Sequence, residues 1–73
     1  MKGLLKDNAA TRARKATGLN QEVFASRYRV PLATLRNHEQ GRLVDTNLGV
    51  YYELIAQNPE LILKMINAIP AKK

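Results

Sequence analysis

Apolar residues recur along this chain at helical spacing, and polar capping residues separate the runs. Stepping by about 100° per residue from Gln21 brings Gln21, Phe24, Ala25 and Tyr28 to one side and leaves Glu22, Val23, Ser26 and Arg27 toward water. The same construction from Leu32 to Gln40 gathers Leu32, Ala33, Arg36, Asn37 and Gln40 in an arc of roughly 140°, with Thr34, Leu35, His38 and Glu39 filling the remainder. Arg29, Val30 and Pro31 form a corner between the two, and Gly41 is a left-handed stop after the second. The stretch from Gln21 to Gly41 therefore reads as two short helices around a tight corner.

The flanks read the same way. Asp7 or Asn8 caps a helix running to about Thr17, with Gly18 just past its end. Its inward face is thin: Ala10, Ala13 and Thr17, flanked by Ala9 and Ala16. Asn20 is a good N-cap for the helix Gln21 to Tyr28. Arg42 to Thr46 is a loop, and Asp45 or Thr46 caps a helix of about Asn47 to Gln57, where Leu48, Tyr51, Tyr52 and Ile55 share a face. That tyrosine pair fits a core better than a base-stacking platform, because such platforms use exposed strands. Asn58, Pro59 and Glu60 open a fifth helix that reaches about Ile69, Pro70 stops it, and the tail 70–73 frays. Residues 1–6 form either a loose arm or an extension of the first helix. The prediction is one all-α domain spanning 1–73, built of five helices without repeats.

Length and charge sharpen this picture. A chain of 73 residues buries only about 60% of its unfolded surface, so its core is small and association would help it. The net charge is +6, and residues 1–42 hold nine Lys/Arg against three Asp/Glu, whereas 43–73 hold three of each. Such asymmetry suits attraction to phosphate, though a merely solvated basic face would produce it too. There is no cysteine, hence no disulfide framework or thiol chemistry. No apolar run is long enough for a signal or a membrane span, so a cytoplasmic location is expected. One His and six scattered carboxylates, with no Gly-rich phosphate loop, give no catalytic constellation and no metal or cofactor spacing. The chain is not expected to be an enzyme.

The outward arc of the second motif helix has the chemistry of a major-groove reader. Arg36 can fork onto guanine, Asn37 can pair with adenine, and Leu32 or Ala33 can meet a thymine methyl. Gln21, Gln40 and Arg42 are candidates for phosphate contacts. GLNQEVFA followed by VPLATLRNHEQG resembles the helix-turn-helix of the Cro/C1-type repressor family, and TLRNHEQG in particular is similar to the DNA-binding antitoxins of bacterial toxin–antitoxin pairs. The resemblance covers about Arg14 to Pro59. It implies a lambda-repressor-like domain in which Gln21 opens the first motif helix beside a phosphate, Ala25 lets the helices approach, and Leu32, Ala33, Arg36 and Asn37 face the bases. Three positions depart from the pattern: Arg29 stands where the family usually has Gly, Pro31 replaces a Ser or Thr cap, and His38 replaces a bulky apolar residue.

These residues lead to a sequence-specific transcriptional repressor that binds double-stranded DNA. The resemblance adds the expectation of an antitoxin that represses its own operon and binds a cognate toxin, yet little sequence lies outside the helices to cover a toxin. A stand-alone phage or host regulator and a protein-interaction module on the same scaffold are the alternatives. Glu39 lies on the inward arc, where a lone carboxylate would be costly, so a structural ion pair with Arg14 is expected; the resemblance implies the same pair. On the fifth helix, Leu61, Ile62, Leu63, Met65, Ile66 and Ile69 span roughly 200°, more than packing on one core requires. The surplus points to a homodimer formed through Leu61, Leu63, Met65, Ile66 and Ile69, unless Tyr51 and Tyr52 cover it. A two-fold dimer would set two reading helices about 34 Å apart, which calls for an inverted-repeat operator.

Overall fold

The computed structural model describes residues 8–70; the expected arm at 1–6 and the tail at 71–73 lie outside the described residues. The described residues form five helices: α1 (Ala9–Thr17), α2 (Gln21–Tyr28), α3 (Leu32–Glu39), α4 (Thr46–Gln57) and α5 (Pro59–Asn67). Among the described residues there is no strand. No helix there is long and apolar enough to cross a membrane.

Side-chain caps set four of the five starts. Asn8, Asn20, Asp45 and Asn58 each accept the backbone N–H three residues on, at 2.9, 2.8, 3.1 and 3.3 Å. Pro31 precedes α3 with its φ near −57° and supplies no side-chain cap. Gly18 closes α1 at φ +76°, a conformation that favours glycine. Arg29 closes α2 in the same left-handed region, at φ 58° and ψ 43°. The corner between α2 and α3 thus keeps the geometry of a glycine turn at the strain cost of a Cβ.

The core is built from Phe24, Tyr28, Leu35, Tyr52, Ile55 and Ile66, with Ala10 and Ala13 fully buried beneath them. Those two alanines let α1 lie along α4, the most extensive helix pairing in the molecule. The buried face of α1 is the expected one at Ala10 and Ala13, with Thr17 and Ala9 half-buried; it differs at one flank, where Thr11 is buried and Ala16 is exposed. Phe24 and Tyr28 stack one helical turn apart, with ring centroids at 4.8 Å.

Tyrosine hydroxyls tie this core to the backbone. Tyr28 donates to the Pro59 carbonyl at 2.9 Å, and Tyr51 donates to the Tyr28 carbonyl at 2.6 Å, so α2, α4 and α5 are held at one point. Tyr52 Oη meets His38 Nδ1 at 2.8 Å, and their rings are edge to face. His38 is buried at the back of α3, so the position that departs from the resembled pattern is a hydrogen-bonded core residue. Burial pushes the Tyr51 and Tyr52 hydroxyls up to about 12 and also raises Tyr28, so all three keep their phenolic protons at neutral pH.

The fifth helix corrects two expectations. It ends at Asn67 rather than near Ile69. Ile66 is 7% exposed and belongs to the core, so it is unavailable to a dimer surface, and Leu63 is half-buried against the same core. The apolar arc was wide because one edge faces inward and the other outward. Leu61, Met65 and Ile69 form the outward edge, at 48%, 56% and 57% exposure.

Candidate nucleic-acid interface

Helix α3 is anchored by its back. Leu35 is fully buried and His38 nearly so, which fixes the rotation of the helix about its axis. The opposite side then presents Ala33, Arg36, Asn37 and Gln40, all exposed. Leu32 departs from the sequence expectation in part: it is half-buried and packs on the core, leaving only a fraction of its side chain for a thymine methyl.

The far end of α3 is tied in three ways. Arg14 forks onto Glu39, with Nε to Oε2 at 2.7 Å and the second guanidinium nitrogen to Oε1 at 2.9 Å. A third donor of Arg14 reaches the Leu19 carbonyl at 3.2 Å. Glu39 and Arg14 side chains are only 9% and 24% exposed, so the pair sits in a poorly solvated place where both charges need each other. The Glu39 hydrogen bond and charge hold the guanidinium of Arg14 above its ordinary range, so it is always a cation. Asn8 adds the second tie: its Oδ1 caps α1 while its Nδ2 donates to the His38 carbonyl at 2.8 Å. Gly41, at φ +104°, then lets the Arg42 N–H return to the Asn37 carbonyl at 3.1 Å, and this places Arg42 beside the last turn of α3.

The start of α2 faces the middle of α3. Gln21 Oε1 accepts from Arg36 Nε at 3.4 Å, and a Glu22 carboxylate oxygen lies 3.6 Å from a terminal nitrogen of Arg36. Asn20, Gln21, Glu22 and Arg36 line an open polar hollow of about 270 Å³ between the two helices. The corner and its approaches add Arg27 and Arg29, both exposed. From residue 20 to 42 the cations are Arg27, Arg29, Arg36 and Arg42 against Glu22 and Glu39, and Glu39 is already satisfied by Arg14.

The sequence-derived site residues therefore fall into two groups. Ala33, Arg36, Asn37, Gln40 and Arg42 are accessible on or beside α3, and half-buried Gln21 adjoins them through Arg36. Arg14 and Glu39 stand behind them as a brace. Sequence reasoning passed over Asn8 as a link between α1 and α3, and it placed Glu22 on a solvated face without linking it to Arg36. The Asn8 cap was legible locally, but its second hydrogen bond crosses 30 residues of chain. Among the described residues there is no cluster of three or more metal-ligating side chains. No family model, curated protein or solved structure matches the chain.

Proposed function

We propose that this protein is a sequence-specific DNA-binding transcriptional repressor that lays α3 in the major groove. The observation that carries the reading is the two-sidedness of α3. Its back is locked by Leu35, His38 and the Arg14–Glu39 pair, while its front offers Ala33, Arg36 and Asn37 to solvent. A helix whose rotation is fixed presents the same side chains each time it docks, which base reading requires. Arg36 supplies a fork for guanine O6 and N7, Asn37 a donor–acceptor pair for adenine, and Ala33 an apolar contact for a thymine methyl. Gln21, Gln40 and Arg42 hold flanking phosphates and set register.

In this reading the protein acts as a homodimer on an inverted repeat, with Leu61, Met65 and Ile69 as the contact between subunits. The resemblance to antitoxins extends the proposal to a repressor of its own operon with a toxin as second partner. Selection from a pool of random duplexes tests the core of it. The expected product is an enriched inverted repeat with half-sites about one helical turn apart. A pool that emerges without sequence preference would reject the assignment.

A further inference from the structure

The hollow between α2 and α3 holds a feature that phosphate attraction alone does not explain. Glu22 places a carboxylate, 72% exposed, at the start of α2, next to the residue assigned to a phosphate and on the side where DNA would lie. By its charge alone, a carboxylate there opposes every duplex alike. It also lies 3.6 Å from Arg36, whose Nε is turned to Gln21 at 3.4 Å.

We propose that Glu22 is a specificity-determining residue that positions Arg36 for guanine and withholds it from phosphate. The inference rests on the reading of α3 as the base-contacting helix. A guanidinium has five N–H donors in a rigid plane; on the edge nearest α2, Nε donates to Gln21 and a terminal nitrogen lies in charge contact with Glu22 at 3.6 Å. The remaining donors keep the parallel geometry that matches O6 and N7 of guanine. Because the neighbouring carboxylate stays within reach, the guanidinium need not leave Glu22 to meet a base edge. A swing toward a phosphate would break that contact and bring a carboxylate and a phosphate together. Glu22 thereby penalises the non-specific complex more than the specific one, and specificity is that difference.

The test compares the wild type, Glu22→Ala, Arg36→Ala and the double variant on a duplex carrying the selected site and on a random duplex of equal length. Removing Glu22 should raise affinity for the random duplex by about twofold to fivefold, the scale of an exposed ion pair, and lower the ratio of specific to random affinity by a similar factor. The random-duplex salt dependence should steepen as well, because Arg36 becomes an additional phosphate contact. In the Arg36→Ala background the same change should raise both affinities equally and leave the ratio unaltered. A ratio that Glu22→Ala leaves unchanged in the presence of Arg36, or alters as much in its absence, would overturn the positioning role and leave Glu22 a simple surface charge. A wild type that binds both duplexes equally would instead reject the base-reading assignment of α3, and this inference with it. Unfolding midpoints within a few degrees of each other for the wild type and Glu22→Ala, both far above the assay temperature, exclude a folding defect as the source of the effect.

Discussion

Replacing Glu39 with alanine should be among the most damaging single changes on α3, and the geometry sets the scale. The carboxylate is 9% exposed and accepts two Arg14 donors at 2.7 and 2.9 Å. Its removal strands a guanidinium that is 24% exposed and keeps only the Leu19 carbonyl at 3.2 Å. Losing one partner of a buried pair costs about 3–5 kcal/mol; because Arg14 retains some solvent and one acceptor, about 2–3 kcal/mol is the reasonable figure. Total stability for a chain of 73 residues is on the order of 4–11 kcal/mol, so this is a large fraction of it. Glu22→Ala is the matched control, an exposed carboxylate 3.6 Å from its cation, where loss should stay below about 1 kcal/mol. Thermal unfolding followed by circular dichroism should show Tm lower by about 10–20 °C for Glu39→Ala, at about 4–8 °C per kcal/mol for a domain of this size. Glu22→Ala should shift Tm by only a few degrees on the same scale. Equal midpoints for the two variants would refute the argument that α3 is braced through Glu39.

Three further outcomes follow from the packing. The raised hydroxyls of Tyr51 and Tyr52 mean that the unfolded chain loses these protons first as pH rises, so stability is intact below about pH 10 and declines toward pH 12, at about 1.4 kcal/mol per unit for the fully buried Tyr52 and less for half-buried Tyr51. Urea titrations between pH 9 and 11 should show that decline, and a Tyr52→Phe variant that declines as steeply as the wild type would contradict it. Arg29→Gly removes the left-handed strain, worth about 1 kcal/mol, partly offset by the freer unfolded chain, so a slightly higher Tm is expected and a lower one would count against the strain argument. Sedimentation at micromolar concentration should give a dimer that Leu61→Glu and Met65→Glu convert to folded monomers, whereas Ile66→Glu should unfold the chain; a monomeric wild type would remove α5 as a dimer surface.

Local signals carried the helices. Asn8, Asn20, Asp45 and the Asn58–Pro59 pair mark four starts that depend only on residues within one turn, and Gly18 closes α1 for an equally local reason. The rotation of α3 was legible because Leu35 and His38 lie opposite a polar arc. Periodicity was weaker for α1 and α5. It defines an apolar arc without saying which edge meets the core, so Ile66 fell inward, and on α1 the flank beside the expected Ala10 and Ala13 is Thr11 rather than Ala16. At the candidate site, the exposure of Arg36 and Asn37 could be read from the helical wheel, whereas the proximity of Glu22 to Arg36 depends on how α2 crosses α3. Cross-chain hydrogen bonds such as Asn8 to His38 belong to the same class, since tertiary packing creates them.

The central claim is that Arg36 and Asn37 read bases while Arg42 holds a phosphate. Quantitative binding of Arg36→Ala, Asn37→Ala and Arg42→Ala to a panel of single-base variants of the selected site tests it most directly. Arg36→Ala and Asn37→Ala should each flatten discrimination at one base pair per half-site, losing about 1–3 kcal/mol against the preferred base there and little elsewhere. Arg42→Ala should weaken all duplexes by a common factor and lower the salt slope by about one. If the Arg36 and Asn37 variants kept the wild-type base preference at every position, α3 would not be the reading helix.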